Sequence, residues 1–387
     1  MQALAVGWQI YALTHRPLDL GLVGLAQFLP GILLFLVTGH TADRFPRERI
    51  LIACCAGFSL CSVLLLTIGN RPGGLLYIYG VLLLNGTVRA FSGPAGQAFL
   101  PLLVPEEHFP SAVAWASSFF QTATILGPIA GGMVYGIIGS PTPVYATAAL
   151  AYLVALLFIS CIHLEALVHT HSQLSYGAVL EGLRYLRRNK LILGSISLDL
   201  FAVLLGGAVA LLPVYAREIL KIGPSGLGLL RCAPGIGAVT MAIVFAHWPL
   251  RRRAGAAMLA CVCAYGGFTI VFGLSRSVWL SVAALVLVGA SDMVSVIVRH
   301  TLVQLTTPNA MRGRVSAVNM VFIGASNEVG QFESGVTAQW FGTVPAVVLG
   351  GVGTIAVVAL WSWFFPGLRR YETRVTPSVE QPADPLG

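Results

Sequence analysis

Eleven runs of about 20 apolar residues, each long enough to cross a lipid bilayer as a helix, limit what this chain can fold into. They lie near 21–39, 50–69, 74–94, 112–138, 143–163, 191–213, 224–246, 255–274, 278–298, 314–338 and 344–365. Inside hydrocarbon every backbone amide and carbonyl needs a partner within its own segment, so runs of this length are helices. Composition agrees. Only 10% of the residues are charged and mean hydropathy is +0.82, against roughly 25% charged residues in soluble domains. That deficit excludes a soluble enzyme, a nucleic-acid binder and a disordered chain. Glycine (43) and proline (21) are abundant and fall within the apolar runs, where membrane helices tolerate them. A twelfth run, 1–13, is too short to cross, and no basic region or small-residue cleavage site marks it as a secretory signal.

The basic residues divide unevenly between the two sets of loops. One set holds fifteen: Arg44, Arg47, Arg49, Arg184, Arg187, Arg188, Lys190, Arg251, Arg252, Arg253, Arg312, Arg314, Arg369, Arg370 and Arg374. The other holds five: Arg16, Arg71, Arg217, Lys221 and Arg276. Basic loops stay cytoplasmic, so the chain is expected to be a multi-pass protein of the cell (inner) membrane with both termini in the cytoplasm. The seven cysteines sit in apolar segments without metal-ligand spacing and read as small hydrophobes. His169 and His171 fall in a polar linker with no third ligand, and no metal or cofactor is expected.

The two halves of the sequence repeat each other. GLVGLAQFLPGI (21–32) matches SGLGLLRCAPGI (225–236) at an offset of 204, aligning Gly24 with Gly228, Pro30 with Pro234 and Gly31 with Gly235. At offset 203, Gly86 meets Gly289 and Pro105 meets Pro308. Two six-helix halves in parallel repeat resemble the major facilitator fold. The expected class is therefore an all-α membrane protein of two six-helix bundles related by a pseudo-two-fold axis. Its expected parts are an N-terminal bundle (1–165), a cytoplasmic linker with an amphipathic helix (166–190), a C-terminal bundle (191–366) and a disordered tail (367–387). Because Met1 aligns with Leu205, whereas the matching helix begins near Leu191, the first helix reads as truncated by about fourteen residues. An in-frame apolar extension upstream of Met1 is expected; an immediate upstream stop codon would refute it.

Two motifs resemble signatures of the major facilitator superfamily. GHTADRFPRER (39–49) is similar to the loop motif between the second and third helices. The resemblance implies a gating latch built from Gly39, Asp43, Arg44, Arg47 and Arg49. Its second copy, AHWPLRRRAG (246–255), lacks the aspartate. ATILGPIAGG (123–132) resembles the antiporter signature of the fifth helix, with Ala123 in place of the first glycine. There Gly127, Gly131 and Gly132 permit close helix packing and Pro128 bends the span. ASNEVGQFESG (325–335) looks like the branch that contains the enterobactin exporter and macrolide efflux proteins.

Seven ionisable residues fall inside the spans: Arg89, Asp199, Arg231, Asp292, Arg299, Glu328 and Glu333. Each costs about 2.5–3.5 kcal/mol near the bilayer centre on insertion scales, so they are candidates for function. Asn85, Arg89 and Ser92 make one polar stripe; Asp292, Ser295 and Arg299 make another. The repeat aligns Arg89 with Asp292 and Gln27 with Arg231. Gln27, Arg89, Arg231, Asp292 and Arg299 are therefore the substrate-cavity candidates, with snorkelling to headgroups an open alternative for Arg299 and an outer-leaflet anchor for Arg231. Asp199, Asp292 and Glu328 are the proton-coupling candidates. Asp199→Asn is expected to abolish proton-driven transport with expression intact. Glu333, about 140° around the helix from Glu328, reads as structural.

In SYGAVLEGLRYLRRNK (175–190), Tyr176, Val179, Leu180, Leu183 and Leu186 share one helical face, the pattern of a helix lying on anionic headgroups. The expected function is secondary active export of a small amphipathic molecule, siderophore or drug-like, by proton antiport and alternating access. The expected partners are the small-molecule substrate, protons and the lipid bilayer, with no nucleic acid, and the chain is expected to be a monomer. A non-transporting sensor-like or degenerate paralogue and an importer remain open alternatives. No nucleotide-binding motif occurs, and no enzymatic activity is expected.

Overall fold

The computed structural model describes residues 1–68, 74–162, 176–248 and 253–371. His169, His171, Arg71, Arg251, Arg252, Arg374, linker residues 166–175 and tail residues 372–387 lie outside the described residues. So do the side chains of Asp43, Tyr176, Val179 and Leu180. The helices run in chain order as α1 (Gln2–Thr14), α2 (Pro17–Leu33), α3 (Phe35–Arg44), α4 (Arg47–Ile68), α5 (Leu75–Phe99), α6 (Phe109–Ile138), α7 (Thr142–Ser160) and α8 (Tyr176–Arg188). There follow α9 (Lys190–Leu205), α10 (Leu212–Val214), α11 (Gly223–His247), α12 (Ala254–Leu274), α13 (Val278–Thr306), α14 (Asn309–Phe341), α15 (Thr343–Phe364) and α16 (Pro366–Arg369).

Local chemistry explains the boundaries. Pro17 and Pro224 open α2 and α11, where the missing N–H costs nothing. The Asn189 side chain caps α9 by accepting from the amides of Leu191 and Ile192 at 3.2 and 3.3 Å. Gly139 ends α6 with φ 71°, a left-handed turn that glycine adopts without strain.

Nine helices among the described residues are long and apolar enough to cross a bilayer. Two expected spans do not meet that description, each for a physical reason. The run 21–39 is not one helix: Pro30 removes a ladder bond in the turn before it, and further on the chain leaves helical geometry at Leu34 (φ −98°, ψ 2°) before resuming as α3. The run 314–338 belongs to α14, a 33-residue helix whose Arg312, Arg314, Glu328 and Glu333 make it too polar to stand alone in lipid. The run 191–213 is also interrupted. α9 ends at the pair Gly206-Gly207, and a 3₁₀ turn (Ala208–Leu211), α10 and a π turn (Tyr215–Ile219) carry the chain onward.

The helices form two bundles. In the first, Val6, Ile10, Leu65, Ile78, Leu82 and Tyr145 share a core. In the second, Ile192, Ile196, Met258, Val298, Leu302 and Val315 do the same. A third cluster joins them, with Leu4, Tyr11 and Leu20 of the first bundle packed among Leu211, Tyr215, Leu227, Leu230 and Ala338 of the second. α2 packs on α14 and α6 on α11, two contacts exchanged by the pseudo-two-fold axis.

Both contacts depend on glycine. A Cβ at Gly335 would lie 2.9 Å from Gly21 Cα, and one at Gly132 would lie 3.0 Å from Gly228 Cα. Backbones that approach this closely exclude any side chain. Ser225 adds a bond to the Gly132 carbonyl at 3.4 Å. All these residues lie toward the end of the molecule poor in basic residues. Toward the basic end, a Cβ at Gly324 would meet Phe28 at 3.9 Å and one at Gly235 would meet Ile125 at 3.0 Å.

The linker helix α8 packs on α14. Glu181 pairs with Arg314 at 2.7 Å, and Leu186 is fully buried in the second-bundle core. The face expected on headgroups therefore covers protein at Leu186, which packs among apolar residues of α9, α13 and α14.

Candidate cleft and its ion pairs

Glu328, on α14, is the centre of the charged groups between the bundles. Arg89 of α5 reaches across and pairs with its Oε1 at 3.2 Å. Gln331, one turn along α14, donates to Oε2 at 3.2 Å. Glu328 also lies against α2, since a Cβ at Gly24 would meet its Oε2 at 3.3 Å. Gln27 is one turn further along that helix, where the close approach of Gly86 locks α2 to α5. Arg231 of α11 acts electrostatically on Glu328, and its guanidinium donates to the Ala3 carbonyl of α1 at 3.4 Å. Four of the expected residues, Gln27, Arg89, Arg231 and Glu328, thus border one region. Glu328 is only 13% exposed there, while Arg89 is 61% exposed. Two guanidiniums against one carboxylate leave this region with an excess positive charge.

Asp199, Asp292 and Arg299 stand apart, inside the second bundle. Arg299 forms an ion pair with Asp199, with side chains 2% and 8% exposed. The snorkelling alternative for Arg299 therefore fails, because the guanidinium has a partner in the bundle interior. Asp199 and Asp292, with Tyr265 and Ser295, line a cavity of ≈ 10 Å³ between α9, α12 and α13, about the room one water needs. The neighbours the structure gives Asp292 and Arg299 thus belong to the second bundle. Asp292 has no cation at ion-pair distance among the described residues. Sequence reasoning passed over Tyr265, although its hydroxyl donates to the Gly206 carbonyl at 3.2 Å and ties the cavity to the break after α9. It also gave no role to Ser295, whose buried hydroxyl has no hydrogen-bond partner among the described residues.

The remaining expected residues are peripheral. Arg47 donates to the Ala98 carbonyl at 3.3 Å, holding a cation at the C-terminal end of α5. Arg44 and Arg49 are exposed, and Gly39 is half-buried in α3. Gly127 and Gly131 face Met1, the residue before α1, whereas the Pro128 carbonyl and Gly132 meet Gly228. Glu333 accepts from Thr337 of its own helix at 2.7 Å.

The sequence also concealed a latch at the less basic end. Trp8 and Tyr11 lie along one face of α1, and His15 follows as its C-terminal cap. Tyr11 donates to Glu218, the His15 ring lies 4.0 Å from the same carboxylate, and the Arg217 guanidinium sits 5.8 Å from the Trp8 ring centroid. These partly exposed contacts are worth about 0.5–1 kcal/mol each. In a background without native cysteines, Glu218→Gln should raise the thiol-labelling rate of Ser225→Cys, at the closed seam, by about two- to fivefold. An unchanged rate would show that the latch carries no weight.

A model of the "transmembrane secretion effector" family matches residues 1–386. The chain belongs to that family, a branch of the major facilitator transporters. The transporter is 28% identical over 386 residues to the enterobactin exporter EntS of Shigella boydii serotype 4, covering 97% of this chain and 89% of that protein. It is 25% identical over 354 residues to the MFS-type transporter YfiS of Bacillus subtilis, covering 88% and 83%. Its fold matches an inward-facing, occupied bacterial homologue of the lysosomal transporter Spinster with TM-score 0.71 at 12% identity, over 96% of each chain. The architecture of two six-helix bundles and the multi-pass membrane class thus stand as expected from the sequence.

Proposed function

We propose that this transporter exports an anionic amphipathic organic molecule in exchange for protons, through alternating access of the cleft around Glu328. The observation that carries the reading is the Arg89–Glu328 pair, which spans the bundles at 3.2 Å with Arg231 nearby. An anion entering from the basic end meets the exposed Arg89 and displaces Glu328 as its partner. Arginine offers a paired hydrogen-bonding fork to carboxylate or catecholate oxygens. The similarity to a siderophore exporter supports this substrate class and the outward direction. The basic end is the cytoplasmic one, both termini lie inside, and the protein resides in the inner membrane as a monomer whose two bundles complete one cleft.

The proton is carried elsewhere. An anion bound beside Glu328 favours protonation of that carboxylate, which would move proton and substrate together rather than in exchange. Asp292 avoids this conflict. It lies in the second bundle, with no cation at ion-pair distance among the described residues, beside Asp199 and the Ser295 hydroxyl. Coupling then runs through the movement of the bundles, not through competition at one site.

Everted vesicles, with internal pH and accumulated enterobactin measured together, test the reading. Substrate entry should release protons from the vesicle. Asp292→Asn should abolish accumulation driven by the pH gradient yet leave downhill flux, while Arg89→Gln should reduce both. Normal accumulation in Asp292→Asn would overturn the assignment of the proton carrier, and proton uptake accompanying the substrate would overturn antiport.

A further inference from the structure

At the basic end of the second bundle, away from the cleft, a cavity of ≈ 730 Å³ opens between α12, α15 and α16. Its lining includes Arg253, Ser362, Arg369 and Arg370 and no acidic residue. The backbone brings the three arginines together. The Gly255 amide donates to the Tyr371 carbonyl at 3.1 Å, which pins the segment after α16 over the first turn of α12. Gly255 is needed there, because a Cβ would collide with the Leu368 carbonyl. Arg253, the residue before α12, adopts φ 55° and is exposed. None of the three guanidiniums has an acidic partner among the described residues.

We infer that this cavity binds the headgroup of an anionic phospholipid. Three unpaired guanidinium forks suit phosphate oxygens, and the volume falls in the range of ligand-sized sites, about 300–1,000 Å³. The level within the membrane fits as well. Trp363 and Phe364, at the end of α15, are 76% and 58% exposed at this height, as in the aromatic belts that mark the headgroup region. A headgroup here has its acyl chains beside the apolar outer surfaces of α12 and α15. Basic pockets between helices on the cytoplasmic side are suited to such lipids.

The test uses the purified full chain in detergent, titrated with cardiolipin, phosphatidylglycerol, phosphatidylethanolamine or inorganic phosphate, and read by native mass spectrometry and thermal unfolding. The anionic lipids should bind and raise Tm, whereas phosphatidylethanolamine and phosphate should not. The triple variant Arg253→Gln/Arg369→Gln/Arg370→Gln should bind the anionic lipids about a hundredfold more weakly. Equal stabilisation by phosphatidylethanolamine, or full displacement of cardiolipin by millimolar phosphate, would overturn the lipid assignment. The tail beyond Tyr371 carries Glu372, Glu380 and Asp384 and is the competing occupant. A chain ending at Tyr371 should bind cardiolipin unchanged, and tighter binding would show that the tail fills the site instead. The comparison of lipid classes on the unaltered protein stands whether or not the triple variant folds.

Discussion

Asp199→Asn will unfold the second bundle at markedly lower temperature, at a cost of about 3–5 kcal/mol, because it leaves the Arg299 guanidinium buried without its carboxylate. Taken alone, the sequence had suggested that this substitution would spare expression. The pairing changes that expectation, since an uncompensated charge in a bundle interior is far more costly than a lost hydrogen bond. Replacing both partners, as in Asp199→Asn/Arg299→Met, should restore most of the stability by removing the charge that needs a partner. Thermal unfolding in detergent reads both variants. If the single substitution were as stable as the parent, or the double one less stable than the single, the ion pair would not hold this bundle together.

Gly132→Val will oppose closure of the bundles at their less basic end. Its Cβ alone would sit 2.7 Å from the Pro224 carbonyl and 3.0 Å from Gly228 Cα, so α6 and α11 must separate. Overpacking of this kind costs about 1–3 kcal/mol, which shifts a two-state equilibrium about five- to 150-fold. The closed seam should open, turnover in vesicles should fall by at least tenfold, and each bundle should keep its own unfolding behaviour. Gly21→Val tests the symmetry-related seam against Gly335 and should act in the same direction. Wild-type turnover in both variants would mean that these glycines serve the fold of each bundle but not the passage between states.

Much of the fold was legible because lipid imposes simple rules on sequence. Apolar length located the helices, basic loops separated the two ends, and the recurrence of Gly24, Pro30 and Gly31 as Gly228, Pro234 and Gly235 revealed the doubling. The interruptions were harder to read. α2 stops at Leu33, three residues past Pro30, and Gly206-Gly207 stops α9 where hydropathy continues unbroken.

The charged groups were recognised as functional candidates but their pairings were not. Arg89 and Glu328 are 239 positions apart, and nothing local in the sequence couples them. The repeat aligned Arg89 with Asp292, yet pseudo-symmetry equates places within separate bundles and does not bring them into contact. The latch of Trp8, Tyr11 and His15 was signalled only by the short spacing of these residues along the chain. Its partners, Arg217 and Glu218, lie on a π turn that no periodicity announces.

The docking of α8 has a consequence for how shape change is distributed along the chain. With Glu181 clasping Arg314 and Leu186 sunk among the residues of α9 and α13, this segment is mechanically cargo of one half. In the rocking cycle proposed above, α8 therefore travels as a passenger of the second bundle, and a probe fixed to it would report that bundle's motion alone.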